Sequence, residues 1–239
     1  MRQALAAGLI AALATTAGCA RGRAEEPGPS AERNYPVGAF DKIELAGAYD
    51  ATVRTGSAPS VHATGGANLL DKLIVEVRDG TLLVRPEKGR SFHWSKGSRV
   101  ALTITVPSLR VAELAGAGGL HIDKVTGDSF EGSVAGSGDL TVDQVQVGTL
   151  NLNIAGSGNA KANGGTARTA GYEIAGSGGI DAKAVTTEDA DVSIAGSGEV
   201  SVNATKTAKV SIAGSGDVDV TGGAKCTTSK MGSGNVRCS

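Results

Sequence analysis

The chain has 239 residues and a formal net charge of −1, from 23 Lys and Arg against 24 Asp and Glu. So even a balance lacks the basic footprint of a nucleic-acid-binding domain. Phe 3, Tyr 3 and Trp 1 beside Gly 36 is too little aromatic bulk for an ordinary globular sandwich or hydrolase of this length. From the N-terminus, Arg2 precedes an apolar run from Ala4 to Ala14, and Thr16-Ala17-Gly18-Cys19 follows. The run is shorter than the roughly 20 residues a membrane span needs. A basic start, a short apolar run and small residues before a processing site predict a secretion signal over residues 1–18. Residues 19–38 are expected to form a tether. Pro27, Gly28 and Pro29, alternating charges and the lack of an apolar run there leave nothing to bury.

Residues 39–239 are expected to form a single β domain. Lys42 to Leu45, Ala51 to Arg54 and Arg99 to Val106 alternate polar and apolar, the pattern of strands with one buried face. Ile74 to Arg78 and Thr81 to Val84 flank Asp79-Gly80, a tight-hairpin dipeptide. Arg90 to Gly97 reads as an exposed loop, and Pro107 ends the last of these strands.

From residue 116 to 238 the chain repeats. Gly-Ser-Gly stands at residues 136–138, 156–158, 176–178, 196–198, 214–216 and 232–234, after a degenerate first copy at Gly116-Ala117-Gly118. The period is 20 residues and then 18, and a fixed period of this size means one supersecondary unit stacked on copies of itself. Short runs rich in Val and Ile flank each tripeptide, and glycine between them lets the chain turn a corner. Aligned on the tripeptide, Leu120, Leu140, Ala160, Ile180, Val200, Val218 and Val236 form one inward column. Ile122, Val142, Ala162, Ala182, Val202, Val220 and Cys238 form another. Between them His121, Thr141, Lys161, Asp181, Ser201, Asp219 and Arg237 point outward. Strand, corner, strand at this period predicts an all-β parallel β-helix, or β-solenoid, with rungs of 18–20 residues and a less regular N-terminal β cap. Seven rungs about 4.8 Å apart make a rod of roughly 34 Å.

Cys226 continues the column of Ala190 and Ala208, as Cys238 continues that of Val202 and Val220. Both are therefore expected to point into the last rung and close it with a disulfide. Such a short loop contributes about 3 kcal/mol on the chain-entropy account, and an exported compartment permits the bond. Lys230 replaces Ile194 and Ile212 in a buried column, so the stack is expected to end there.

Chemistry-bearing sets are sparse. His62, His93 and His121 lie far apart without a second ligand at metal spacing, so no metal or cofactor site is expected. The repeated serines are corner residues rather than members of a Ser/His/Asp set, and no helix with a lysine follows Gly-Ser-Gly as a phosphate loop requires. Asp139, Glu199 and Asp217 share an acidic column that Gly179 interrupts, and the period differs from that of calcium-binding nonapeptides. Asp181 and Asp219 share an outward column with Ser201 between them, and nothing else converges on them.

Phe40-Asp41-Lys42-Ile43, Gly66-Ala67-Asn68-Leu69-Leu70, Val106-Pro107-Ser108-Leu109 and the repeated Ala-Gly-Ser-Gly together resemble the head-GIN family of autotransporter adhesin domains. The resemblance covers nearly all of the chain from Phe40 to Cys238. It implies a right-handed β-helix on an exported, often lipid-anchored bacterial envelope protein, and supplies no catalytic residues. The ending at Cys19 resembles the bacterial lipoprotein box, which implies acylation of Cys19; Thr16 stands where that box prefers Leu. Ala20 resembles the second residue of lipoproteins sorted to the outer membrane, facing the periplasm or the cell surface. The expected function is a non-catalytic lipoprotein held to the membrane by its anchor and presenting a rigid rod to a glycan or protein ligand. A carbohydrate-active β-helix enzyme and a structural envelope scaffold remain the alternatives.

Cys19→Ala is expected to abolish acylation and detergent-phase partitioning while the β domain stays folded, because two acyl chains suffice for stable anchoring. An acyl-free wild-type protein by mass spectrometry, or a variant still bound to membranes after signal removal, would refute the anchor.

Overall fold

Seventeen strands and one short helix account for the regular structure in residues 27–87 and 99–239, the part that this computed structural model describes. The signal, Cys19 and the rest of the expected tether up to residue 26, and the Arg90–Gly97 loop with His93 lie outside the described residues. The cap contains β1 (Ser30–Tyr35), β2 (Lys42–Gly47), β3 (Asp50–Thr55), β4 (Ser60–Gly66), α1 (Ala67–Leu70), β5 (Leu73–Arg78), β6 (Thr81–Pro86), β7 (Ala101–Val106) and β8 (Val111–Gly116). β5 and β6 form the expected antiparallel hairpin. Asp79 and Gly80 at its tip have φ of 48° and 75°, the positive pair that a two-residue turn matching the strand twist requires.

The cap is not laid down in chain order. β2 and β3 form the first rung, which is enclosed from both sides. β6 and β7 pair with them in parallel on one side, and β8 and the following strand pair with them on the other. Beyond β7 the direction reverses, since β4 runs antiparallel to it and β1 antiparallel to β4. This corrects the tether, because Ser30–Tyr35 pair residue by residue with Val61–Gly66. Arg33 adds a hydrogen bond to the Leu70 carbonyl and an ion pair with Asp71.

The repeats continue as β9 (Gly119–Gly136), β10 (Asp139–Gly156), β11 (Asn159–Ala162), β12 (Gly165–Gly176), β13 (Gly179–Gly196), β14 (Glu199–Gly214), β15 (Asp217–Thr221), β16 (Lys225–Gly232) and β17 (Val236–Cys238). Every pairing among them is parallel and displaced by one period, as in Leu140↔Ala160 and Ile154↔Ile174. The fold is a β-solenoid, as the columns predict. The short runs flanking each tripeptide prove to be ends of longer, bent strands. A third, middle face lies between them, where Val125, Val145 and Val185 point inward.

The step from 20 to 18 residues has a local cause. Val202 lies beside Ala182, but Asn203 lies beside Thr186, so the three residues Lys183–Val185 have no counterpart in β14. A second irregularity between Thr187 and Asp189, where β14 carries one residue more, leaves a net loss of two. Core volume is balanced within a rung. The turn containing Ala160, Ala162, Ala167 and Ala170 also holds Tyr172, 2 % exposed, and one large ring compensates for four small side chains. Burial raises the Tyr172 phenol above its ordinary pKa.

At each corner the first glycine has a φ between 127° and 138° from Gly116 to Gly232. A Cβ there would overlap the carbonyl oxygen of the matching glycine one rung earlier. The next residue's N–H donates to that oxygen, at 2.8 to 3.0 Å from Ser137 to Ser233. Gly47 pairs with Gly116, so Gly47-Ala48-Tyr49 is a further corner, one without the Gly-Ser-Gly tripeptide.

The C-terminal rung carries the Cys226–Cys238 disulfide. Among the described strands β17 pairs only with β15, and Cys238 is exposed although its column is inward. Lys230 lies beside Ile212, and its ammonium donates to the Gly234 carbonyl at 2.8 Å. Ser201 departs from its expected exposure: it lies between Asp181 and Asp219 on the outside, yet only 7 % of it is exposed. The Lys183 ammonium meets Asp219 at 3.0 Å on the far side of that serine.

Gly176→Ala is expected to lower stability by more than about 3 kcal/mol, since it combines a strained φ with a backbone overlap. Ser177→Ala, its exposed neighbour, should change it by under about 0.5 kcal/mol; equal chemical denaturation midpoints would refute the corner argument. Val202→Asp should unfold the rod by placing an unpaired charge in the core. Ser201→Asp is expected to cost about 1–3 kcal/mol, because it inserts a third carboxylate between two others under cover. A wild-type melting temperature for Ser201→Asp would overturn that reading.

Candidate functional site

The outer side of the face that leads into each corner carries two columns. Pairing places Glu44, Glu113, Ser133, Asn153, Glu173, Ser193 and Ser211 in one. Two residues on, beside the corner, stand Ala46, Ala115, Ala135, Ala155, Ala175, Ala195 and Ala213, with Met231 on the last rung. Strand alternation turns both columns to solvent while Leu114, Val134, Ile154 and Ile174 between them enter the core. Because a methyl reaches less far than a glutamate or an asparagine, the pair of columns forms a step. The result is a recess of about 280 Å³ across five rungs, walled by Glu44, Glu113, Ser133, Asn153 and Glu173 and floored by Ala115, Ala135, Ala155 and Ala175.

A second recess, of about 340 Å³, adjoins it through Asn153 and Glu173 and reaches Glu131, Asn151 and Asp191. No lysine or arginine among the described residues lines either one. Among the described residues Glu44, Glu113 and Glu173 have no ion-pair partner, whereas Asp41, Asp50, Glu76 and Glu188 each meet a cation. The contacts of Asn153 with Glu131 and Ser133 are long, both 3.4 Å. The sequence carries a signal for this site, Ala at one fixed offset before every corner except the last, which the inward columns overshadow.

The face that leaves the corner is polar and mixed in sign. A recess of about 370 Å³ includes Lys161, Asp181, Lys183, Glu199 and Ser201. Another, of about 210 Å³, includes Lys183, Asp217, Asp219 and Arg237. The acidic column of Asp139, Glu199 and Asp217 lies on this face, and two of its three carboxylates are engaged between rungs. Asp139 accepts from Asn159 at 2.8 Å, and Asp217 accepts from the Asn235 N–H at 2.8 Å. Among the described residues no group of three or more His, Cys, Asp or Glu is arranged to hold a metal ion.

The described histidines lie apart on the surface. His62 contacts Asn34 at 2.8 Å, and His121 meets Asp143 at 2.9 Å. Neither activates a serine. The corner hydroxyls from Ser137 to Ser233 stand exposed in a row, and neither described histidine is paired with one. Asp181 and Asp219 are separated by the covered Ser201, and Asp219 is paired with Lys183. This surface offers shape, hydrogen bonds and charge.

Known proteins share the architecture. A putative lipid binding protein from Parabacteroides distasonis is 27 % identical, with a TM-score of 0.72, and the match covers 89 % of this chain and 97 % of that one. A putative adhesin from Bacteroides fragilis is 24 % identical, with a TM-score of 0.81, over 88 % and 97 % of the two chains. A putative adhesin from Parabacteroides merdae is 20 % identical, with a TM-score of 0.71, over 89 % and 97 %. No curated protein matches the chain. Residues 39–224 match the family described as "Putative auto-transporter adhesin, head GIN domain". The run of registered glycine corners and the match over most of its length place the chain in the head GIN domain family.

Proposed function

We propose that this chain is a non-catalytic binding module of the bacterial envelope, exported, held to the outer membrane by acylated Cys19, and engaging a ligand along the alanine-floored recess. The recess itself carries the reading. It crosses five rungs, combines an apolar floor with hydrogen-bonding and charged walls, and so has the lining of a recognition surface. The adhesin description of the family and the lipid-binding description of one structural relative agree with ligand binding as the role. Acyl-chain binding is less favoured, because the recess is shallow and carboxylate-walled while the inward columns are filled with side chains. A carbohydrate-active enzyme would need converging acid and base groups, which Asp181 and Asp219 do not supply. A scaffold stacked end to end would need an apolar terminal rung, and Lys230 opposes one.

The test compares wild type with Ala135→Leu/Ala155→Leu, which fills the floor from outside without touching the core. On glycan arrays, peptidoglycan pull-downs and host-cell binding, wild type is expected to bind at least one target and the double variant to lose it. Blank results throughout, or binding indifferent to the filled floor, would remove the recess as the binding site.

A further inference from the structure

We infer that the recess receives an extended, basic peptide segment of a partner protein, with cationic side chains four residues apart; this rests on the recess being the ligand site. Charge complementarity decides the sign of the ligand. Among the described residues Glu44, Glu113 and Glu173 face the recess without an ion-pair partner, and no lysine or arginine lines it. An anionic segment would meet repulsion from all three, whereas a cationic one meets partners already in place.

Spacing decides the form. The wall rises one residue per rung, from Glu113 through Ser133 and Asn153 to Glu173. Three steps of about 4.8 Å separate the two carboxylates by roughly 14 Å. An extended chain advances about 3.4 Å per residue, so four residues span the same distance. Between the carboxylates Ser133 and Asn153 present hydroxyl and amide groups, which can both donate and accept. These match the alternating N–H and C=O groups of a peptide main chain and have no counterpart on a bare polyamine. The floor of Ala115, Ala135 and Ala155 takes small ligand side chains, and the alkyl stems of lysines can lie along its edge while their ammonium groups reach the carboxylates.

The experiment titrates the full-length chain with the blocked pentapeptide Lys-Gly-Ala-Gly-Lys, its analogue with Gln at both ends, and spermidine, by calorimetry at low salt. The lysine peptide is expected to bind saturably and more tightly than either comparison. Glu113→Gln and Glu173→Gln should each weaken it up to about fivefold, the range of an exposed ion pair, and the double variant more. Glu199→Gln, on another face, should leave binding unchanged. Spermidine binding as tightly as the peptide, the Gln peptide doing so, or indifference to both glutamate substitutions would each overturn the proposal. If the Gln peptide binds equally and Ala135→Leu/Ala155→Leu blocks both peptides, the recess stands as a ligand site and only its basic specificity falls. If the filled floor blocks neither, the recess reading falls as well.

Discussion

Everything in this rod depends on how closely successive glycines approach at the corner. A carbonyl oxygen of one rung occupies the volume that a Cβ of the next would need. The same oxygen accepts a hydrogen bond from the residue after that next glycine. Glycine is therefore required twice over, for its positive φ and for its missing side chain. The return is a main-chain ladder that follows the chain around the bend, so few backbone groups are stranded where the sheet turns. Stacking the corners in register also fixes the register of the faces beside them. Each inward side chain then rests on the equivalent side chain of its neighbours, and the core becomes a set of columns.

That dependence explains which parts of the fold were legible in the sequence. In a parallel stack, residues one period apart are neighbours, so Leu120, Leu140 and Ala160 declare their contact by spacing alone. The Cys226–Cys238 bond could be placed by the same arithmetic. The cap obeys no such rule. Gly47-Ala48-Tyr49 is a corner whose next rung in space is 69 residues away in the chain, with the rest of the cap inserted between. β1 pairs antiparallel with a strand some 30 residues downstream, and its polar, proline-flanked sequence resembles a linker. Ser201 lies on the outward side that its column predicts, but its cover comes from Lys183, which the shortened rung displaces out of register. Period reveals direction; burial also depends on how far a neighbour's side chain reaches.

The site was less legible than the fold because the two make different demands on a residue. An inward position must be apolar and of suitable volume, which leaves a plain signal. An outward position is free to vary, and its role emerges only when columns are considered together. Glu113, Ser133, Asn153 and Glu173 share no chemistry that a repeat search would register. They become one wall because the stack aligns them, and the wall becomes a recess because the adjoining column is alanine. The periodicity that builds the core thus also brings surface residues 20 positions apart within about 5 Å of one another along the rod.

Alanine in that column calls for its own explanation. It is a weak strand former, and an exposed strand position is ordinarily better served by threonine or valine, on a scale spanning about 1 kcal/mol. Packing does not require the small residue, since Ala115, Ala135, Ala155, Ala175, Ala195 and Ala213 all point to solvent. Nor does backbone geometry at the terminal rung, where Met231 occupies the same column and stands 79 % exposed. The ends of the rod are meanwhile committed to other tasks. Antiparallel strands finish the N-terminal side, and Thr228, Lys230 and the disulfide replace apolar core residues on the last rung. With the interior filled and the two end rungs differently built, the long side is where the proposed ligand reading places its recess. Along that side, repeated alanine keeps open a step that larger residues would fill.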